Sequence, residues 1–218
     1  MNTPQVICAD GLRKQFRSIP ENARKDHQAF SVRIWRGLSW LERSESTGDT
    51  ESRFIYLWIA FNAIYGRLHD DGINAPDHGS WQEFLASVVD ADREDLLGTI
   101  MWSEQLRILR LVDNQWLFRP FWQADPSAEK KLAASRQHVM KCLRNRSAVG
   151  VLQQVFERLY VLRQQVFHGA ATSGSKLNRK YLESSAMLMS KIVPAMIAIM
   201  IIAGPQRNWG EICFPPVQ

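Results

Sequence analysis

Arg163 and His168 stand five residues apart in Leu159-Tyr160-Val161-Leu162-Arg163-Gln164-Gln165-Val166-Phe167-His168-Gly169, a stretch that is otherwise largely apolar. A permanent cation that grips phosphate, beside a side chain that moves protons near neutral pH, is the minimum equipment for cleaving RNA without a metal. The substrate's own 2′-hydroxyl is the nucleophile in that reaction, so the protein need only transfer protons and stabilise charge on the phosphate oxygens. His168 suits the first task. Arg163 suits the second, through paired hydrogen bonds to non-bridging oxygens. Spacing alone says little: with 19 arginines and 5 histidines in 218 residues, such a pair arises about 0.4 times by chance. A structural alternative uses the same residues differently, with His168 bonding helix carbonyls and Arg163 paired with a carboxylate.

The element that must position this pair is a helix over about 148–167. Leu152, Val155, Leu159, Leu162 and Val166 keep a three-to-four-residue apolar period there. A second row, Phe156, Tyr160, Arg163 and Phe167, runs beside it, and Arg163 interrupts an apolar stripe. Gly169 predicts a helix stop directly after His168. Five residues of α-helix turn through about 500°, so the two side chains diverge by about 140° unless the helix ends between them.

The rest of the chain reads as all-α. Phe30, Ile34, Leu38 and Leu41 recur at helical spacing, and the break at Ser46-Thr47-Gly48-Asp49-Thr50 precedes a second helix over about 51–68. That helix is apolar nearly all round, which predicts a central place in a bundle. Within the apolar surround of its segment Arg53–Gly66 the one strongly polar side chain, Asn62, must find partners if buried, and the helix bearing Arg163 is the expected neighbour. Short helices follow at 81–89 and 93–102, then a longer one at 104–116, a charged one from about Ser127 to Arg146, and a last apolar one over 177–202. Leu117-Phe118-Arg119-Pro120-Phe121-Trp122 either covers the core or offers stacking surfaces to bases. The expected organisation is a polar extension at 1–28, one helical domain at 29–203 and an irregular tail at 204–218.

Charge is unevenly spread. Residues 1–125 hold 14 basic and 18 acidic side chains, whereas residues 126–218 hold 13 basic and 4 acidic. Within the basic half, Lys130, Lys131, Arg136, Lys141, Arg144 and Arg146 face only Glu129 between Ser127 and Ser147, a run that either funnels a polyanion toward a site or is a solvated helix face. Lys141, Arg144, Arg146 and Lys176 are the candidate RNA-binding residues. His69, Asp70, Asp71, Asp77 and His78 have no helical register among Gly, Asn and Pro, so a solvated loop is preferred there to a metal site. No cofactor or metal is called for. Cys8, Cys142 and Cys213 show no zinc spacing, and no secretory signal is present, which favours a reducing cytoplasm. The apolar run Ile192–Ala203 is 12 residues and contains Pro194, below the length of about 20 that spans a bilayer, so no membrane is expected.

These residues resemble the HEPN superfamily (higher eukaryotes and prokaryotes nucleotide-binding domains), whose signature is Arg-x4-6-His near a helix end, often as Leu-Tyr-x-x-Arg-x-x-x-x-His-Gly. Leu159-Tyr160, Arg163 and His168-Gly169 match it, and Phe61-Asn62-Ala63-Ile64-Tyr65 in the segment Phe54–Gly66 is similar to the family's N-terminal core helix. The resemblance implies a helical bundle, with additional helices inserted between the second core helix and the motif helix. It further implies a homodimer that brings two Arg/His pairs to one cleft, and in many members a metal-independent endoribonuclease. By position, His168 would transfer protons and Arg163 would hold the phosphate, with Gln164, Asn62 and Tyr160 in support. Gln164 fills a place where the family more often has Asn, Asp or His. After the histidine, Gly169-Ala170 departs from the His-x-Tyr form in which the tyrosine is a nucleotidyltransferase's target, which argues against that mode of control. The expected setting is toxin–antitoxin, stress or antiviral defence, with RNA and an antitoxin or regulatory protein as partners. The other reading left open is a noncatalytic HEPN dimer that binds RNA, a nucleotide or a protein. A helical structural protein with no nucleic-acid role is the remaining class.

Overall fold

The computed structural model describes residues 7–66, 77–170, 179–210 and 212, with side chains between 77 and 80 excepted. Among the described residues the regular structure is helical, with eleven α-helices and one 3-10 turn. The chain divides into two compact units, Met1–Arg93 with Ser190–Gln218, and Glu94–Met189.

The first unit contains α1 (Ala9–Ser18), α2 (Glu21–Asp26), α3 (Gln28–Ser46), α4 (Thr50–Tyr65) and α5 (Asp77–Ala91). Residues 1–28, expected to be a polar extension, thus hold two helices. α1 buries Ala9, Leu12 and Phe16 on one face, against α3. Three apolar residues at i, i+3 and i+7 within ten are enough for two amphipathic turns, yet too few to stand out in a charged stretch. Asp49 caps α4 by accepting the Ser52 backbone N–H at 2.7 Å, which explains why the helix restarts just after the polar break. α3 and α4 pack closely at Gly37, where a Cβ would lie 2.7 Å from the Ile64 side chain. Aromatic rings of α4 continue the core: Phe54, Trp58, Phe61 and Tyr65 stack in series, with Phe84 of α5 against Phe61 and Trp209 against Phe84.

Arg33 is fully buried in this unit. Its guanidinium donates to the carbonyls of Ile64 at 2.7 Å, Gly66 at 2.8 Å and Gly210 at 3.0 Å. The last carbonyls of α4 have no partner within their own helix, and a cation at that negative end of the dipole supplies one.

The second unit contains α6 (Leu96–Ser103), α7 (Gln105–Val112), a 3-10 turn (Gln115–Leu117), α8 (Arg119–Trp122), α9 (Ala128–Arg144) and α10 (Ala148–Phe167). The expected long helix over 104–116 ends at Val112 because the Asn114 side chain accepts the Trp116 N–H at 3.0 Å and closes a turn of its own. α10 coincides with the expected 148–167 and packs on α6, α7, the 3-10 turn and α9. Beneath it lies Arg158, 2% exposed, whose Nε donates to the Val112 carbonyl at 3.2 Å and whose Nη2 donates to Ser135 Oγ at 2.8 Å. Ser135 Oγ in turn donates to Gln154 Oε1 at 2.6 Å, and Phe118 lies flat under the guanidinium at 4.4 Å. Burial pulls Arg158 down to about 10, so it is still a cation at neutral pH. Arg158→Ala should lower stability by about 2–4 kcal/mol, and Arg158→Met by roughly half as much because it refills the volume. Urea unfolding followed by circular dichroism measures both; equal losses would assign the effect to volume rather than to the orphaned carbonyl and hydroxyl.

α11 spans Arg179–Ala203, its residues 179–189 belonging to the second unit and 190–203 to the first. It is longer than its 12-residue apolar run, and by length and composition it is able to cross a membrane. Of its most apolar window, 72% is buried within the protein.

Candidate functional site

The apolar stripe of α10 leaves the core in its last turn. Leu152, Val155, Leu159 and Leu162 are buried, Val166 is half-buried, and Phe167 is 46% exposed. The second row does the same: Phe156 and Tyr160 are buried, Arg163 half-buried, Phe167 and His168 at the surface. The helix stop is fixed by its backbone. Ala170 N–H donates to the Gln165 carbonyl at 2.9 Å, Gly169 N–H donates to the Val166 carbonyl at 3.3 Å, and Gly169 has a φ of +66°. That is a Schellman termination, in which only the residue at Gly169 needs the left-handed region. His168 is the C-cap and donates its backbone N–H to the Gln164 carbonyl at 3.0 Å. Its side chain is left at the surface.

Arg163 lies over the face of Phe167, with its guanidinium carbon 4.9 Å from the ring centroid. Its Nε is buried and, among the described residues, has no hydrogen-bond partner, and no carboxylate among them pairs with it. No hydrogen bond joins Arg163 to His168. The structural alternative for this pair required a carboxylate on Arg163 and helix carbonyls on the imidazole; neither contact is present among the described residues.

Val161, Gln164, Gln165 and His168 fall on one face of α10 by their spacing. An open groove of about 250 Å³ runs along it, bounded by Arg119 and Trp122 on the α8 side and by Gln164, Gln165 and Ala170 on the α10 side. Its walls are held in place through the Trp116 carbonyl, which accepts from Gln165 Nε2 at 2.7 Å and from Trp122 Nε1 at 2.8 Å. Trp122 is 57% exposed and forms an edge-to-face cluster with Phe121 and Trp116. In the segment Leu117–Trp122, Leu117 and Phe118 are core, as one of the two alternatives expected, and Trp122 presents a ring to solvent.

Arg119, not singled out by its sequence, has its guanidinium 5.5 Å above the ring of Tyr160. Tyr160 is accordingly a buried support for Arg119. The signal available in the sequence was Arg-Pro before the aromatic pair Phe121-Trp122, which is weak without the turn that aims it.

No protein-family model, curated protein or solved structure matches this chain.

The remaining candidates are dispersed. Asn62 lies in α4 of the first unit, half-buried, with a buried Oδ1 that has no hydrogen-bond partner. Lys141 and Arg144 are exposed in the last turn of α9, and Arg146, with a φ of +53°, lies over Trp102 at 5.6 Å. Arg136 and Lys131 of the same run are paired with Asp113 and Asp125. α9 runs antiparallel to α10, since Ser135 meets Gln154 and Arg158 while Cys142 meets Gly150. The basic end of α9 therefore stands beside the start of α10, and a 20-residue helix is about 30 Å long. Charge density in the sequence does not reveal this separation. Lys176 lies outside the described residues, as do His69, Asp70 and Asp71 of the loop weighed as a metal site; Asp77 and His78 begin α5. Among the described residues no group of three or more His, Cys, Asp or Glu is placed to hold a metal ion.

Proposed function

We propose that this protein is a HEPN-type, metal-independent endoribonuclease acting on single-stranded RNA, in a cytoplasmic toxin–antitoxin, stress or antiviral setting. The observation that carries the reading is the state of Arg163. The two buried arginines with structural work, Arg33 and Arg158, direct their donors at backbone carbonyls and a hydroxyl. Arg163 is half-buried, stacked on Phe167 and, among the described residues, without an acceptor, about one and a half helical turns from an exposed histidine. A partly desolvated cation whose buried Nε has no partner is suited to an anion that arrives from outside.

In this reading the 2′-oxygen attacks the adjacent phosphorus, a new phosphorus–oxygen bond forms, and the bond to the 5′-oxygen breaks. His168 exchanges a proton with the attacking or the leaving oxygen. Arg163 neutralises the charge that grows on the non-bridging oxygens. Because the two side chains diverge around the helix, one phosphate is served best when the α10 ends of two copies face each other, and we place the reaction in such a homodimer. The same divergence favours, as the second reading, a dimer that binds RNA in this groove without cutting it.

The test is cleavage of single-stranded RNA by purified protein in excess EDTA, with analysis of the product ends. Cleavage yielding 2′,3′-cyclic phosphate supports the nuclease. Binding that depends on Arg163 with no cleavage over a broad RNA panel selects the second reading. The groove adds a prediction: Trp122→Ala should raise KM by about 5–50-fold through loss of one stacked base, with kcat changed less than about threefold. A fall in kcat at unchanged KM would remove Trp122 from substrate binding.

A further inference from the structure

A second groove lies in the first unit, between α1 and α3, and it does not depend on the reading of Arg163 and His168. Its floor on α3 is Val32, Trp35, Arg36 and Ser39, with Trp40 at one edge, and its α1 wall is Arg13 and Arg17; it encloses about 610 Å³. Helical spacing puts Arg13 and Arg17 on one face of α1, and the four α3 floor residues on the facing side. Both α1 guanidinium groups lie over the Trp35 ring, at 5.2 Å and 5.8 Å from its centroid. Arg13 is tied by a 2.6 Å ion pair to Glu42, whereas Arg17 is exposed and has no carboxylate within ion-pair distance. Trp35 is 45% and Trp40 36% exposed, and Trp40 is backed by Tyr56 at 5.8 Å.

Two half-exposed indoles beside three arginines specify a ligand with two properties. Arginine stacked on tryptophan is already desolvated on one side and ordered, so the entropy of fixing it is spent before an anion arrives. The arginines favour a group with paired acceptor oxygens. The indoles favour a flat ring. An acidic peptide supplies the first and not the second, whereas a nucleotide unit supplies both, and only an unpaired base has its faces available. We infer that the α1/α3 groove binds single-stranded nucleic acid, with a base stacked on the Trp35/Trp40 edge and its phosphate on Arg17 and Arg36.

The experiment uses the full chain carrying His168→Ala, so that RNA is not consumed, and follows the anisotropy of a labelled RNA of about 12 nucleotides. Arg17→Glu should weaken binding about tenfold and flatten the salt dependence by about one ion released. Trp40→Ala should weaken it about fivefold or more. Duplex RNA should compete less well than the single strand. DNA of the same sequence and a free nucleoside monophosphate, as competitors, report whether the groove takes the strand or a lone nucleotide. Circular dichroism melts confirm that each variant is folded. Affinity within twofold of the parent for both variants, or equal binding of single strand and duplex, would overturn the proposal. An interface with another protein would give that same outcome. Because nothing is cut in this assay, its failure leaves the cleavage test of Arg163 standing, and loss of cleavage in Arg163→Ala leaves this one standing.

Discussion

Replacing His168 by alanine should reduce EDTA-resistant RNA cleavage by about 10²–10⁴-fold while leaving the folded state unchanged. The size follows from removing the side chain assigned to proton transfer at the end of α10. The unchanged fold follows from geometry. The imidazole is at the surface and makes no hydrogen bond to the described residues, and the helix stop uses the backbone of His168 to Ala170 with Gly169 left-handed. An exposed substitution of this kind moves stability by about 0.5 kcal/mol or less. Arg163→Ala should cost a comparable factor, and Arg163→Lys should recover little of it, because an ammonium ion cannot grip two phosphate oxygens at once or lie flat on Phe167. Initial rates on a labelled single-stranded RNA, with melting curves on the same preparations, measure both. If wild type and His168→Ala cleave equally in EDTA, the pair is not the site.

Arg33→Ala should destabilise the first unit by about 3–5 kcal/mol, which is a large share of a domain's stability. The substitution removes donors from the buried Ile64 carbonyl and the partly buried Gly66 and Gly210 carbonyls, and it leaves a cavity between α3 and the end of α4. Each orphaned carbonyl contributes its desolvation penalty. Arg33→Lys should recover less than half, since one ammonium cannot span acceptors on both the α4 end and the Gly210 strand of chain. The expected fall in Tm is roughly 10 °C. Calorimetry decides: a change under about 1 kcal/mol would mean that other groups satisfy those carbonyls.

The candidate site was half legible. Helix α10 and its stop were readable because each is a local property: a three-to-four-residue period and a glycine at the one position that needs positive φ. Arg163 and His168 were readable as residue types at a spacing. Arg119 and Trp122 were not assigned to the groove, because they reach α10 only through the Asn114 turn and the Trp116 carbonyl. The basic run of α9 was readable as charge and misleading as position. Its density is one-dimensional, whereas its distance from His168 depends on which way α9 runs against α10.

The same division holds for the fold. Periodicity by itself determined an all-helical chain, with α3, α4, α9, α10 and α11 near their observed limits, because those patterns record which side of each helix avoids water. Pattern does not record what the avoided side meets. The burial of Arg33 and Arg158, the packing of α1 on α3, and the assembly of α10 with α6, α7 and α9 were decided only by tertiary structure. A charged side chain reads as solvent-facing until carbonyls from distant parts of the chain are brought to it. Arg163 is the clearest case: its sequence marks it as a cation in an apolar row, and only the tertiary structure shows which of the described side chains reach it, an aromatic ring and no acid among them.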